Sequence, residues 1–209
     1  EMSASLVGSE MCIRDSTDGA DEEADEALRE RFYEKVRNPA TSGNKHHYRQ
    51  WALEVPGVGD AKVFPLDSGD GTLTVLIVDV DKARNPSLEP AVRDYIETVR
   101  PIGATVTVSS PTMRSVNVSA NVILDGTKTL DDVLAMFKSQ FTEYLKSLVF
   151  VEYRVSYAKI GSLLLNIEGV QDYDDLRLNN STGNIIVGEK EIPAMGTVSL
   201  EEVHTIAAD

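Results

Sequence analysis

Apolar residues recur in this chain at two spacings, and the switch between them marks out most of its elements. Over "GADEEADEALRERFYEKVRN", Ala24, Leu28, Phe32 and Val36 return every fourth residue, which predicts one helix with a single apolar stripe. Asp21, Glu22 and Glu23 sit in its first turn, where carboxylates favour the positive end of the helix dipole, and Asn38-Pro39 stops it. Tyr48, Trp51, Ala52 and Val55 predict a short helix that ends at Pro56-Gly57. "AKVFPL" then reads as a strand, "DSGDG" as a tight turn, and "TLTVLIVDVD" as a strand whose unbroken apolar run predicts a central position. Leu88, Val92, Ile96 and Val99 make a further helical face, ended by Pro101.

Alternation takes over in "GATVTVSSPT" and in "RSVNVSANVILDG", where Val116, Val118, Ala120 and Val122 share one face of a strand. The strongest helical stripe follows, through Leu130, Val133, Leu134, Phe137, Phe141, Leu145 and Leu148, with Thr129 as N-cap and Asp131 and Asp132 in the first turn. A further helix is predicted near Tyr157–Ile167. The remainder reads as three short strands joined by "NNSTG" and by the "GEKE" turn.

The chain also matches itself. Shifted by 112 residues, "EVPGVGDAKVFPLDSGDGTLTV" falls on "NIEGVQDYDDLRLNNSTGNIIV" without a gap. Gly57 meets Gly169, Val58 meets Val170, Asp60 meets Asp172, and Val75 meets Val187. The expected fold class is α+β: two small modules, each with helices packed on a short mixed or antiparallel sheet, related by a helix–turn–hairpin repeat. The expected domains are a central module over 17–110, a C-terminal module over 111–200 with the junction at Ser110-Pro111, and a polar tail over 201–209.

Residues 1–16 stand outside this pattern. Reverse-translated, "LVGSEMCIRDS", Leu6–Ser16, resembles a transposase adapter of the kind used in sequencing libraries, in a single frame. The segment is therefore expected to be non-native and unpacked. It carries Cys12, the one cysteine of the chain, so no disulfide or thiol chemistry is expected of the remainder. Without residues 1–16 the net charge is −12, against −14 for the whole chain. Such an acidic chain repels phosphate backbones, and no apolar run approaches the length of a membrane span, so neither nucleic acid nor membrane is expected as a partner.

The search for chemistry leaves no site. There is no Gly-rich phosphate loop, no nucleophile elbow and no zincin motif. His46 and His47 are adjacent, about 100° apart around a helix, and do not converge on one metal. His204 lies in the polar tail. "DSGDG" and "DYDDLRLNN" lack the alternating oxygen ligands and terminal glutamate of a calcium loop. No catalytic, cofactor-binding or metal-binding residue is nominated, no cofactor is expected, and the chain is not expected to be an enzyme.

The order of these elements, from "GADEEADEALRERF" through "YRQWALEVPGVGDAKV", "RPIGATVTV" and "VNVSANVIL" to "IGSLLLNIEGVQDYDDLRLN" and "EIPAMGTVSL", resembles the baseplate J-like proteins of contractile-tailed bacteriophages. The resemblance runs from about Asp18 to Leu200. It implies a structural part of a tail baseplate wedge, assembled in the bacterial cytoplasm and resident in the virion tail. Its implied partners are other wedge proteins and further copies of itself, met through protein–protein contacts. The alternatives are the equivalent part of a phage-derived contractile bacteriocin, and an enzyme or carbohydrate-binding domain. Contact patches are expected on the second module and on any face of the Leu130–Leu148 helix left uncovered.

Overall fold

The computed structural model describes residues 25–37 and 43–203. The adapter-like segment, the acids Asp21–Glu23 and the tail residue His204 lie outside the described residues. The chain divides into two compact units, Glu1–Pro39 and Ala40–Asp209. In the first, helix α1 spans Asp25–Arg37, with Asp25 and Glu26 in its opening turn. Three residues of its predicted stripe, Leu28, Phe32 and Val36, are 49%, 60% and 60% exposed.

The second unit begins with α2 (Lys45–Glu54), capped by the Asn44 side chain, which accepts from the His47 N–H at 2.9 Å. Strands β1 (Val58–Pro65) and β2 (Thr72–Asp79) follow. Then come a 3-10 turn over Pro86–Leu88, helix α3 (Glu89–Val99) and strand β3 (Thr105–Ser109). β1 pairs antiparallel with β2 and β3 pairs parallel with it, so β2 is the central strand, as its apolar run requires. The parallel pair needs a crossover, and α3 supplies it, burying Val92 and Ile96 completely.

Strand β4 (Thr112–Leu124) starts the next layer. It is followed by α4 (Leu130–Leu148), β5 (Arg154–Val155), α5 (Tyr157–Leu165), β6 (Val170–Leu178), β7 (Ile185–Ile186) and β8 (Glu191–Glu202). The second sheet has the order β6-β4-β8, antiparallel on one side and parallel on the other. Thr129 caps α4 in a reciprocal box with Asp132. The stripe of α4 brings Val133, Phe137, Phe141 and Leu145 into one core cluster with Val116, Val118 and Val122 of β4, the helix running close to β8, and Phe137 and Phe141 stack at 5.5 Å.

The repeat is real over half its predicted length and also extends in front of it. Ser156 caps α5 as Asn44 caps α2, 112 residues earlier, each accepting from the N–H three residues on. Tyr48, Ala52 and Val55 are buried, and so are Ile160, Leu164 and Ile167. The Val55 N–H donates to the Ala52 carbonyl and the Ile167 N–H to the Leu164 carbonyl, both at 3.3 Å. Gly57 and Gly169 follow with φ of +93° and +98°. Asp60 and Asp172 each accept the next residue's N–H at 2.8 Å.

The hairpin half of the repeat is a correction. β1 does turn back on the following strand, but β6 pairs with β4, which precedes it, while β7 pairs with β5. Val75 is central in β2; Val187 lies outside any strand. The physical reason lies in the turn. Asn179 and Asn180, at φ +49° and +63°, direct the chain away from β6, whose outer edge, among the described residues, stays unpaired in the order β6-β4-β8. Asn179 is tied to β4 by its N–H on the Asn117 carbonyl, by its side-chain oxygen accepting the Asn117 N–H, and by its amide on the Ser115 carbonyl. Both sheets thus carry the same pairing pattern, with the central strand drawn from a different part of the chain. β8 also corrects the expectation of three short strands, since it runs for 12 residues.

Within the second unit the apolar core falls mainly into two clusters. One lies over Tyr48–Ile96, the other over Val116–Leu200. A small third cluster, Val78, Val149 and Ile192 with Phe150 against it, takes residues from both stretches.

Candidate functional site

The groups weighed from the sequence do not converge. His47 lies on the Trp51 ring, with centroids 3.8 Å apart, and its Nδ1 accepts the Gly43 N–H. It is a packed histidine of the α2 entrance. His46, its neighbour, faces a different surface. Asp67 of "DSGDG" accepts from the Thr74 hydroxyl at 2.7 Å and from the Lys190 ammonium, and these bonds hold its carboxyl below the ordinary value. In "DYDD", Asp172 and Asp174 accept the N–H groups of Tyr173 and Asp175, while Asp175 pairs with Arg177 at 2.7 Å. Among the described residues, no group of three or more His, Cys, Asp or Glu is disposed to hold a metal ion. No described helix is long and apolar enough to cross a membrane.

The surface features that remain are suited to contact. The exposed positions of α4 include Asp131, Asp132, Ser139, Gln140, Glu143 and Ser147, a polar face, while its apolar stripe is covered by β4 and its neighbours. The face of α4 left uncovered is therefore polar and acidic. Exposed apolar side chains include Met113, Met195 and Val80, Val151 and Ile186, and also Leu66 and Ile102. Met113 and Met195 border a shallow groove floored by Leu145, Val149 and Ile192.

A second groove, of about 310 Å³, lies between α2, β1 and the residues just after α4. Asp60 sets its charge. One carboxylate oxygen takes the Arg49 guanidinium at 3.0 Å and the other takes the Lys82 ammonium at 2.7 Å. Arg49 also donates to the Ala61 carbonyl, which ties α2 to β1. Lys62 projects between two rings, 4.8 Å from the Phe64 centroid and 4.2 Å from that of Tyr153. Burial pushes its ammonium below the usual value, with the Glu189 charge opposing. Sequence reasoning reached Asp60 only as a repeat position. Its cations lie 11 and 22 residues away, and no local pattern announces them.

A model of the Baseplate J-like central domain matches residues 40–110, and a model of the Baseplate J-like protein C-terminal domain matches 116–201. The chain is 35% identical over 192 residues to the phage-like element PBSX protein XkdT of Bacillus subtilis, covering 88% of this chain. It is 29% identical over 210 residues to the baseplate protein gp47 of Escherichia phage Mu, covering 93%. It spans 55% of the first relative's length and 56% of the second's. Its fold matches a chain of the anti-feeding prophage baseplate, solved by cryo-EM, with a TM-score of 0.60 at 15% identity, over 83% of this chain and 42% of that one. The likeness to the prophage baseplate chain is one of fold. With both domain models in order along it, the chain belongs to the Baseplate J-like family.

Proposed function

We propose that this chain is a building part of a contractile tail baseplate, placed in the wedge layer around the hub and working through protein–protein contacts. The carrying observation is the succession of the central and C-terminal Baseplate J-like domains over 40–110 and 116–201. Its partners in this reading are other wedge proteins and further copies of itself, and it acts without catalysis. It assembles in the bacterial cytoplasm and resides in the tail of the particle. The surface of the described residues agrees with that role, since it offers grooves and exposed apolar side chains suited to contact.

The test is to purify contractile particles from cells that encode the chain, label it with a tag, and locate the tag by electron microscopy. Label at the baseplate end of the tail is the expected result. Tagged protein that never enters particles would count against the reading. The Bacillus relative is named for a phage-like element, which favours a phage-derived particle as the second reading. Particles with packaged capsids would support the phage, and tails alone the bacteriocin.

A further inference from the structure

The groove beside Asp60 is a cationic exception on an acidic protein. The chain carries a net charge of −14, yet Lys45, Arg49 and Lys62 meet at this one concavity, with Lys82 behind it. Asp60 is already shared by Arg49 and Lys82, so it does not neutralise the other two. Among the described residues, no carboxylate lies within ion-pair distance of Lys45 or Lys62, and the one charge that acts on Lys62 from further off is Glu189. His46 lines the same groove. The opposite wall is apolar: Phe150 and Val151, the latter 71% exposed. Phe150 is held at φ +60°, a conformation bulky residues avoid, in the turn that brings it and Val151 to the groove. The arrangement asks for a segment rich in carboxylates with small apolar side chains between them.

The same sequence contains such a segment. "DGADEEADE", Asp18–Glu26, has six acidic residues, two alanines and no base. We propose that the Lys45–Lys62 groove is a self-association site that receives the acidic Asp18–Glu26 segment of a second copy. This rests on the reading of the chain as an assembly part that meets copies of itself. The match is one of charge and composition. It also answers a physical difficulty, because two chains of such high like charge repel each other overall and need a local patch of opposite sign to meet.

Salt separates this contact from an apolar one. Raising salt screens the general repulsion, so an apolar association strengthens. At about 1 M the screening length falls to ~3 Å, and contacts between exposed charges weaken as well.

The experiment uses the whole chain in sedimentation velocity. Wild type is expected to form a dimer at about 0.15 M salt, with its dissociation constant raised about tenfold or more at 1 M. A groove variant, Lys45→Glu with Lys62→Glu, and a segment variant, Glu22→Lys with Glu23→Lys, are each expected to be monomeric alone. Mixed together, they are expected to dimerise, because each then offers what the other lacks. Circular dichroism and melting temperature report whether the groove variant folds; if it does not, Lys45→Gln with Lys62→Gln takes its place. A wild type that stays monomeric overturns the proposal and leaves a contact within one chain, or an acidic segment of another protein, as the occupant. Association that persists in the groove variant, or a mixture that fails to dimerise, overturns it equally. Presence of the tagged protein in baseplates is read separately, so the assembly role survives or fails independently of the groove.

Discussion

At the scale of single residues, the structure assigns weight to groups whose importance depends on distant partners. Asp60 ties α2, β1 and the loop after β2 through two cations, and its side chain is only 14% exposed. Asp60→Asn keeps the local bond to the Ala61 N–H and loses both ion pairs, so it should destabilise by about 1–2 kcal/mol in urea unfolding. The glycines make a sharper comparison. A Cβ on Gly169 would stand 2.6 Å from the Lys128 Cβ, while one on Gly69 meets nothing, although both have positive φ. Gly169→Ala should therefore cost more than Gly69→Ala, which carries only the backbone strain of about 1 kcal/mol. Equal losses in thermal melts would contradict that packing. Asp67 gives a pH dependence. Its hydrogen bonds lower its folded pKa, so its contribution is present above the ordinary value of 3.8 and is lost as pH falls through the lower folded value. The stability gap between wild type and Asp67→Asn should thus narrow below pH 4, and a gap that widens on acidification would refute the assignment.

At the scale of elements, what the sequence revealed depended on how local the cause was. α4 was legible in full because its stripe, its cap and its acidic first turn all lie within one stretch. Thr129→Ala should remove the cap and cost about 1 kcal/mol. Phe137→Ala, at a completely buried position, should cost about 3–5 kcal/mol, so the two substitutions calibrate cap against core in one denaturation series. β2 was also legible, because an unbroken apolar run needs cover on both faces. The second hairpin was misread because strand partners are not written in a strand. "NNSTGNIIV" looks like the turn and return of its counterpart, but Asn179 is tied to β4 and, with Asn180, turned so that the chain after them pairs with β5 instead. The turn itself was legible, since Gly57 and Gly169 both need positive φ and both keep the same carbonyl bonds around them. The groove was not legible in the sequence, because it is assembled from segments about a hundred residues apart.

At the scale of the molecule, the question is how the modules and their surfaces serve an assembly. We propose that the division near Ser110-Pro111 separates two cooperative units, because the two main core clusters lie on either side of it. Native-state hydrogen exchange should then show the amides of β2 and those of β4 opening with different free energies. A single common value would mean that the small Val78–Val149–Ile192 cluster joins them into one unit. The central claim, however, is that the protein works by assembling. The most direct measurement is to co-express it with its neighbouring tail proteins and sediment the lysate's purified product at moderate salt. A complex of defined size that contains the chain is the predicted result. A chain that remains strictly monomeric beside those partners and turns over a small molecule would contradict the account.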